Sequence, residues 1–152
     1  MTHVFQDHLG WMWFGGEKGL FRYDGLTFQH IPLPDSLGRD QVTALFEDQG
    51  QLWIGFRSGA ICTLPRNTVF LPATNPAVPA SNDHVPSPLL RWIPEEGNPA
   101  SAISGFCIDS SGGFWIATYG EGLYCWKNAR LYPFDVDDGL TGAEIYALTC
   151  AG

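Results

Sequence analysis

Charge is scarce in this chain, and positive charge scarcer still. Only 16% of its 152 residues are charged, and 8 Lys and Arg face 16 Asp and Glu, a net charge of −8. A surface of that sign repels phosphate backbones and anionic lipid, which argues against nucleic-acid binding and against direct membrane contact by this segment. Long apolar runs are missing: none approaches the ~18 residues needed to span a bilayer. The opening Met1-Thr2-His3-Val4-Phe5 lacks the basic and apolar blocks of an export signal. Four cysteines stand at 62, 107, 125 and 150, none in Cys-x-x-Cys spacing, so a structural zinc site is not expected. Four cysteines allow three disulfide pairings, among which the sequence does not choose; the favoured expectation is four small buried hydrophobes. His3, His8, His30 and His84 show no ligand spacing either, so neither a metal nor another cofactor is expected.

What is present is turn formers and aromatics. Gly (18), Pro (11) and an aromatic share of 14% point to many short strands joined by tight turns, an all-β chain. With 45% hydrophobic residues and the length of one ordinary domain, it can bury a core without a staple.

Internal repetition decides the architecture. Three stretches align: Val4 to Gly15 continuing to Gly19–Gly25, Leu45 to Gly55 continuing to Gly59–Cys62, and Phe106 to Ala117 continuing to Gly122–Trp126. Their anchors are Asp7, Asp48 and Asp109, then Gly10, Gly50 and Gly112, then Trp13, Trp53 and Trp115. Gly precedes Trp by three residues each time. A fourth copy opens at Ile145-Tyr146-Ala147-Leu148, matching Val42-Thr43-Ala44-Leu45 and Ile103-Ser104-Gly105-Phe106.

Each copy reads as four strands, a to d. The Asp-to-Gly segment is a turn in which the carboxylate accepts a backbone N–H two residues on and Gly takes the positive φ. Strand b carries the Trp and is apolar on both faces: Met12-Trp13-Phe14, Leu52-Trp53-Ile54, Phe114-Trp115-Ile116. A one-sided sheet would alternate apolar and polar residues. Burial on both sides needs layers above and below, which a radial stack of four-stranded blades supplies at a period near 40–45 residues. The expected fold is a partial β-propeller of about three four-stranded antiparallel blades plus the first strand of a fourth. Blade 1 spans 1–34, blade 2 spans 41–75 with an inserted linker at 71–102, blade 3 spans 103–136, and a fourth begins at 145–152. Gly15, Gly55 and Ala117 keep the end of strand b small where neighbouring blades approach.

The run Val42-Thr43-Ala44-Leu45-Phe46-Glu47-Asp48-Gln49-Gly50-Gln51-Leu52-Trp53-Ile54-Gly55, with Gly19-Leu20-Phe21-Arg22-Tyr23-Asp24-Gly25, resembles the two-component regulator propeller repeat over roughly 120 residues. The resemblance implies a non-catalytic, ligand-sensing propeller of a bacterial signalling receptor, responding to carbohydrate, on the periplasmic or extracellular side. It implies as partners a carbohydrate or other small ligand, and the remaining propeller blades or a second copy. The second copy departs from the repeat at Cys62-Thr63-Leu64-Pro65, where Tyr-Asp-Gly should stand.

In a propeller the b-to-c and d-to-a connections share one face, which ligands favour. That face would carry Glu17 and Lys18, Phe56 to Ser58, and Tyr119 to Glu121. Candidate ligand contacts are Arg57, for a two-pronged grip on an anion, Tyr119 and Trp92, for stacking on a sugar ring, and Glu121 and Lys18. Leu89 to Ile93, within the long linker, could form an extra edge strand or cap. A protein-interaction scaffold is the alternative function. A glycan-active enzyme is weaker, because no pair of carboxylates is marked and Gly-x-Ser-x-Gly is absent.

Overall fold

The computed structural model describes residues 3–65, 91–92 and 97–149, with backbone alone at 91–92. Twelve strands form three separate four-stranded antiparallel sheets, each in sequential order. The first holds β1 (His3–Gln6), β2 (Met12–Gly16), β3 (Gly19–Tyr23) and β4 (Phe28–Ile31). The second holds β5 (Val42–Asp48), β6 (Gln51–Phe56), β7 (Ile61–Pro65) and β8 (Arg91–Trp92). The third holds β9 (Ile103–Ile108), β10 (Phe114–Thr118), β11 (Leu123–Lys127) and β12 (Arg130–Phe134). One short 3-10 turn, Val136–Asp138, follows β12.

The sheets stack face to face as blades, and the hydrophobic core lies between them. Alternation along strand b sends its residues both ways. Leu52 and Ile54 join Trp13, Leu20, Ile31 and Val42 in a core between blades 1 and 2. Trp53, on the opposite face of the same strand, joins Ile103, Phe106, Phe114 and Ile116 in a core between blades 2 and 3. Blade 2 is therefore buried on both sides, which explains why its strand b tolerates no polar residue from Leu52 to Ile54. Each such side chain contributes roughly 1.5–3 kcal/mol by leaving water. This is the partial β-propeller that the repeat requires.

Close approach between blades fixes the small residues. A Cβ built on Gly15 would stand 2.9 Å from Val42 Cβ, and one on Gly55 would stand 2.6 Å from Ile103 Cβ. Strand a of each blade thus lies against the end of strand b in the blade before it.

The anchor turns behave in two ways. In blade 1, Asp7 Oδ1 accepts from the N–H groups of Leu9 (3.0 Å) and Trp11 (2.9 Å), and Gly10 takes φ 90°. In blade 3, Asp109 Oδ1 accepts from Ser111 N–H (2.9 Å) and Gly113 N–H (2.8 Å), and Gly112 takes φ 86°. Both are three-residue hairpin loops closed by a left-handed glycine. Blade 2 departs from this expectation. Its loop is one residue shorter, Asp48 pairs with Gln51 in the ladder, and Gln49 and Gly50 both take positive φ (47° and 78°). A two-residue turn of that kind leaves no room for the side-chain-capped loop.

The cysteines follow the expectation in part. Cys62 is buried and free, and burial pushes its thiol up to about 12. Cys125 is free and half-buried. Cys107 is buried but disulfide-bonded, with a partner outside the described residues.

The outer strand of blade 2 comes from the long linker: Cys62 pairs with Trp92 and Thr63 with Arg91. The linker's proline-rich part, 71–80, lies outside the described residues. Residues 143–148 form no regular strand, but they run along blade 3. Gly122 N–H donates to Ala143 O (2.7 Å), Ile145 N–H donates to Thr118 O (2.9 Å), and Ser104 Oγ donates to Ile145 O.

Candidate functional site

The innermost strands of the three blades and the segment at 146–149 curve around a cavity of about 930 Å³. Its wall comes from strand a of each blade: His3 and Phe5 of β1, Thr43, Leu45 and Phe46 of β5, and Ser104, Gly105 and Phe106 of β9. At its rim stand Glu17, Arg57 and Tyr119, each from the b-to-c connection of a different blade.

Those connections are held firmly. Behind Arg57, Phe56 N–H donates to Ala60 O (3.0 Å) and Gly59 N–H donates to Phe56 O (3.1 Å). Arg57 N–H itself donates to Gln41 O (2.9 Å), tying the connection to the start of strand a. Gly59 takes φ 89°, and a Cβ there would run into the backbone of Pro99, so only glycine fits. The Arg57 side chain is exposed and, among the described residues, forms no ion pair. Tyr119 repeats the pattern: its N–H donates to Ala102 O (3.0 Å). Its ring meets Tyr146 edge-on at 5.8 Å. Tyr146 Oη donates to Glu144 (2.8 Å), and that carboxylate raises the phenol's pKa.

The five candidate contacts divide. Arg57 and Tyr119 share the cavity rim. Lys18 is exposed on the β2–β3 turn and is not part of the lining. Trp92 lies in β8, the outermost strand of blade 2, at the opposite edge of the sheet from cavity-lining β5. Glu121 is occupied structurally. Its Oε2 accepts from Ala100 N–H (2.7 Å) and Ser101 N–H (3.0 Å), stapling the end of the linker to blade 3. Burial first, and then the Glu121 charge, raise the neighbouring Tyr124 phenol.

Three cavity groups escaped the sequence reading. His3 lies in the wall, where burial lowers its pKa against a hydrogen bond to the Leu45 backbone. Ser104 and Tyr146 are the others. Their place on the innermost strand of each repeat was the available signal. The anchors hid a further bond. Trp13 Nε1–H donates to Asp7 Oδ2 (2.9 Å), and Trp115 Nε1–H donates to Asp109 Oδ2 (2.7 Å). The repeated Asp-to-Trp spacing of six residues in those two copies was its signal; in the second copy the spacing is five.

Chemically, the cavity offers aromatic surface, one cation and one carboxylate, Glu17. Paired-carboxylate hydrolysis needs two acids facing one pocket. Among the described residues, no group of three or more His, Cys, Asp or Glu is placed to hold a metal ion, and no helix is long and apolar enough to cross a membrane.

No family model matches the chain, and no curated protein matches it. Solved structures do. The chain is similar to the extracellular domain of BT3049 from B. thetaiotaomicron, described as a hybrid two-component system. The identity is 21% and the TM-score 0.64, over 93% of this chain and 18% of that one. It is similar to two structures of the extracellular domain of BT4673 from the same bacterium, described in one as a one-component and in the other as a hybrid two-component system. There the identities are 22% and 21%, with TM-scores of 0.68 and 0.65, over 95% and 94% of this chain. The chain spans 18% of the length of each of these three proteins. At such identity the likeness establishes the fold.

Proposed function

We propose that this chain forms part of the ligand-sensing propeller of a bacterial two-component-type receptor, on the extracytoplasmic side, and that it responds to carbohydrate without catalysing a reaction. The observation that carries the reading is the rim. Arg57, Tyr119 and Glu17 come from three different blades onto one cavity of about 930 Å³. That volume falls within the range of small-molecule sites, and a ligand spanning it would touch every blade at once. Binding at such a place biases how the blades sit against one another, which is what a receptor must transmit. The fold shared with extracellular domains of signalling proteins supports this reading. The disulfide at Cys107 supports an oxidising compartment.

A thermal-shift screen of neutral and acidic oligosaccharides tests it. A ligand at about a hundred times its Kd stabilises the folded chain by about 2.7 kcal/mol. The expected result is a shift with at least one glycan that Arg57→Ala or Tyr119→Ala removes and Lys18→Ala leaves in place. A screen without any shift, or one in which all three variants respond like the parent chain, defeats the carbohydrate reading.

A further inference from the structure

Each inner strand grips the blade before it through one position, the residue that precedes the anchor aspartate. In blade 2 that residue is Glu47, whose carboxylate accepts the backbone N–H of His8 in blade 1 and meets its imidazole. In blade 3 it is Ile108, which packs against the same core as Phe46 of blade 2. In the copy that opens at Ile145, aligned with Val42 and Ile103, the same position is Cys150. The residue it would meet in blade 3 follows from the ladder. Phe46 stands opposite Trp53, and its counterpart opposite Trp115 is Cys107. The Phe46 and Ile108 positions of one junction are thus Cys107 and Cys150 at the next.

Cys107 is disulfide-bonded, and two of the other three cysteines are placed where they cannot be its partner. Cys62 is free and lies in the core between blades 1 and 2. Cys125 is free, and it flanks Trp115 from the side opposite Cys107. Two strand spacings separate that pair, about 9–10 Å, beyond the roughly 7 Å that a disulfide spans between Cα atoms. The neighbouring segment points to the remaining one. A Cβ built on Gly105 would stand 3.3 Å from Leu148 Cβ and 3.4 Å from Leu148 N. Cys107 and Cys150 each follow two residues later in the sequence.

We propose that Cys107 and Cys150 form a disulfide that staples the opening of the fourth copy to blade 3. Its formation removes two protons and two electrons from the two thiols, and a small disulfide such as oxidised glutathione takes them up to become two thiols by exchange. The staple has a place in the cavity. Tyr146, Leu148 and Thr149 form part of the wall, and they lie between the bond from Ile145 N–H to Thr118 O and the proposed link. Fixed at both ends, this stretch holds its side of the cavity; with the link reduced, only the hydrogen bonds around Ala143 and Ile145 remain to hold it. The inference rests on the placement of the cysteines and is independent of the sensor reading.

Peptide mapping of the 152-residue chain, refolded with oxidised glutathione and then denatured in an alkylating agent, tests the pairing. Cleavage after acidic residues puts each cysteine on its own peptide, since Glu96, Asp109, Glu121, Asp135 and Glu144 separate the last three. The expected result is alkylated Cys62 and Cys125, and one linked pair of peptides carrying Cys107 and Cys150, two hydrogens lighter than their sum. Hydrogen exchange tests the staple. Dithiothreitol, or Cys150→Ser, should speed exchange at Ile145 about tenfold or more and leave Trp53 in blade 2 unchanged, and dithiothreitol should add nothing to the variant. Alkylated Cys107, Cys107 joined to Cys62 or Cys125, or exchange at Ile145 that neither treatment moves overturns the proposal.

Discussion

Asp7 is buried, yet its carboxylate satisfies three donors: two backbone N–H groups and the Trp13 indole. Removing it strands those donors, and an unsatisfied buried donor costs about 1–3 kcal/mol. Asp7→Ala is therefore expected to destabilise the chain by about 2–4 kcal/mol in urea unfolding. Asp48→Ala is expected to cost less than about 1 kcal/mol, since burial holds that carboxyl above its usual range and its shorter loop forms no comparable network. The two aspartates look alike in the sequence. What separates them is a single residue of loop length, which decides whether the carboxylate reaches the indole. Asp109 makes the corresponding bonds, to the Ser111 hydroxyl, the Trp115 indole and two backbone N–H groups, and these depress its pKa strongly. A depressed carboxylate adds stability that is present above its unfolded value near 4 and disappears as pH falls toward the folded one. The melting temperature should drop between about pH 5 and pH 2, and Asp109→Asn should flatten that drop. A difference in the opposite sense would show that the bonds do not favour the charged form.

The unbroken apolar run of strand b gave away the blade as an element, because only a sheet covered on both sides needs Leu52, Trp53 and Ile54 in a row. The small residue at its end was equally legible, since Gly15, Gly55 and Ala117 recur at one place. The structure supplies the reason in Val42 and Ile103 of the following blades. Gly55→Ala forces a methyl group into Ile103 and should cost about 1–3 kcal/mol by overpacking. Gly25→Ala, at φ 100° with open space around it, should cost only about 1 kcal/mol of backbone strain, and comparing the two melting curves separates packing from conformation. Other elements were less legible. The outer strand of blade 2 was legible only in outline: Leu89 to Ile93 read as an extra edge strand or cap, and two residues of it, Arg91–Trp92, form the strand that pairs with β7. The cavity was half legible. Connections placed Arg57 and Tyr119 on one face, but the role of Glu121 depended on where Ala100 and Ser101 return from the linker, a contact between residues about twenty apart.

For the whole molecule, stability should follow position in the stack. Blade 2 is covered on both faces, blades 1 and 3 on one each by the described residues. Hydrogen exchange is therefore expected to be slowest in Leu52–Phe56 and fastest in the outer strands β4 and β12, by several orders of magnitude where outer strands fray. Equal protection in all three blades would mean that the stack opens only as one unit. The ion pair of His8 with Glu47, with a donor–acceptor distance of 2.5 Å, bridges the first two blades at the turn end, but half of the imidazole is exposed and the pair adds less than about 1 kcal/mol. Cohesion comes instead from tryptophans that all project the same way along the stack. Directionality of that sort makes the unit modular. A duplicated blade spliced between two others would inherit a socket on one side and a plug on the other, so a ring could gain a member by a slight narrowing of each wedge rather than by inventing a new contact.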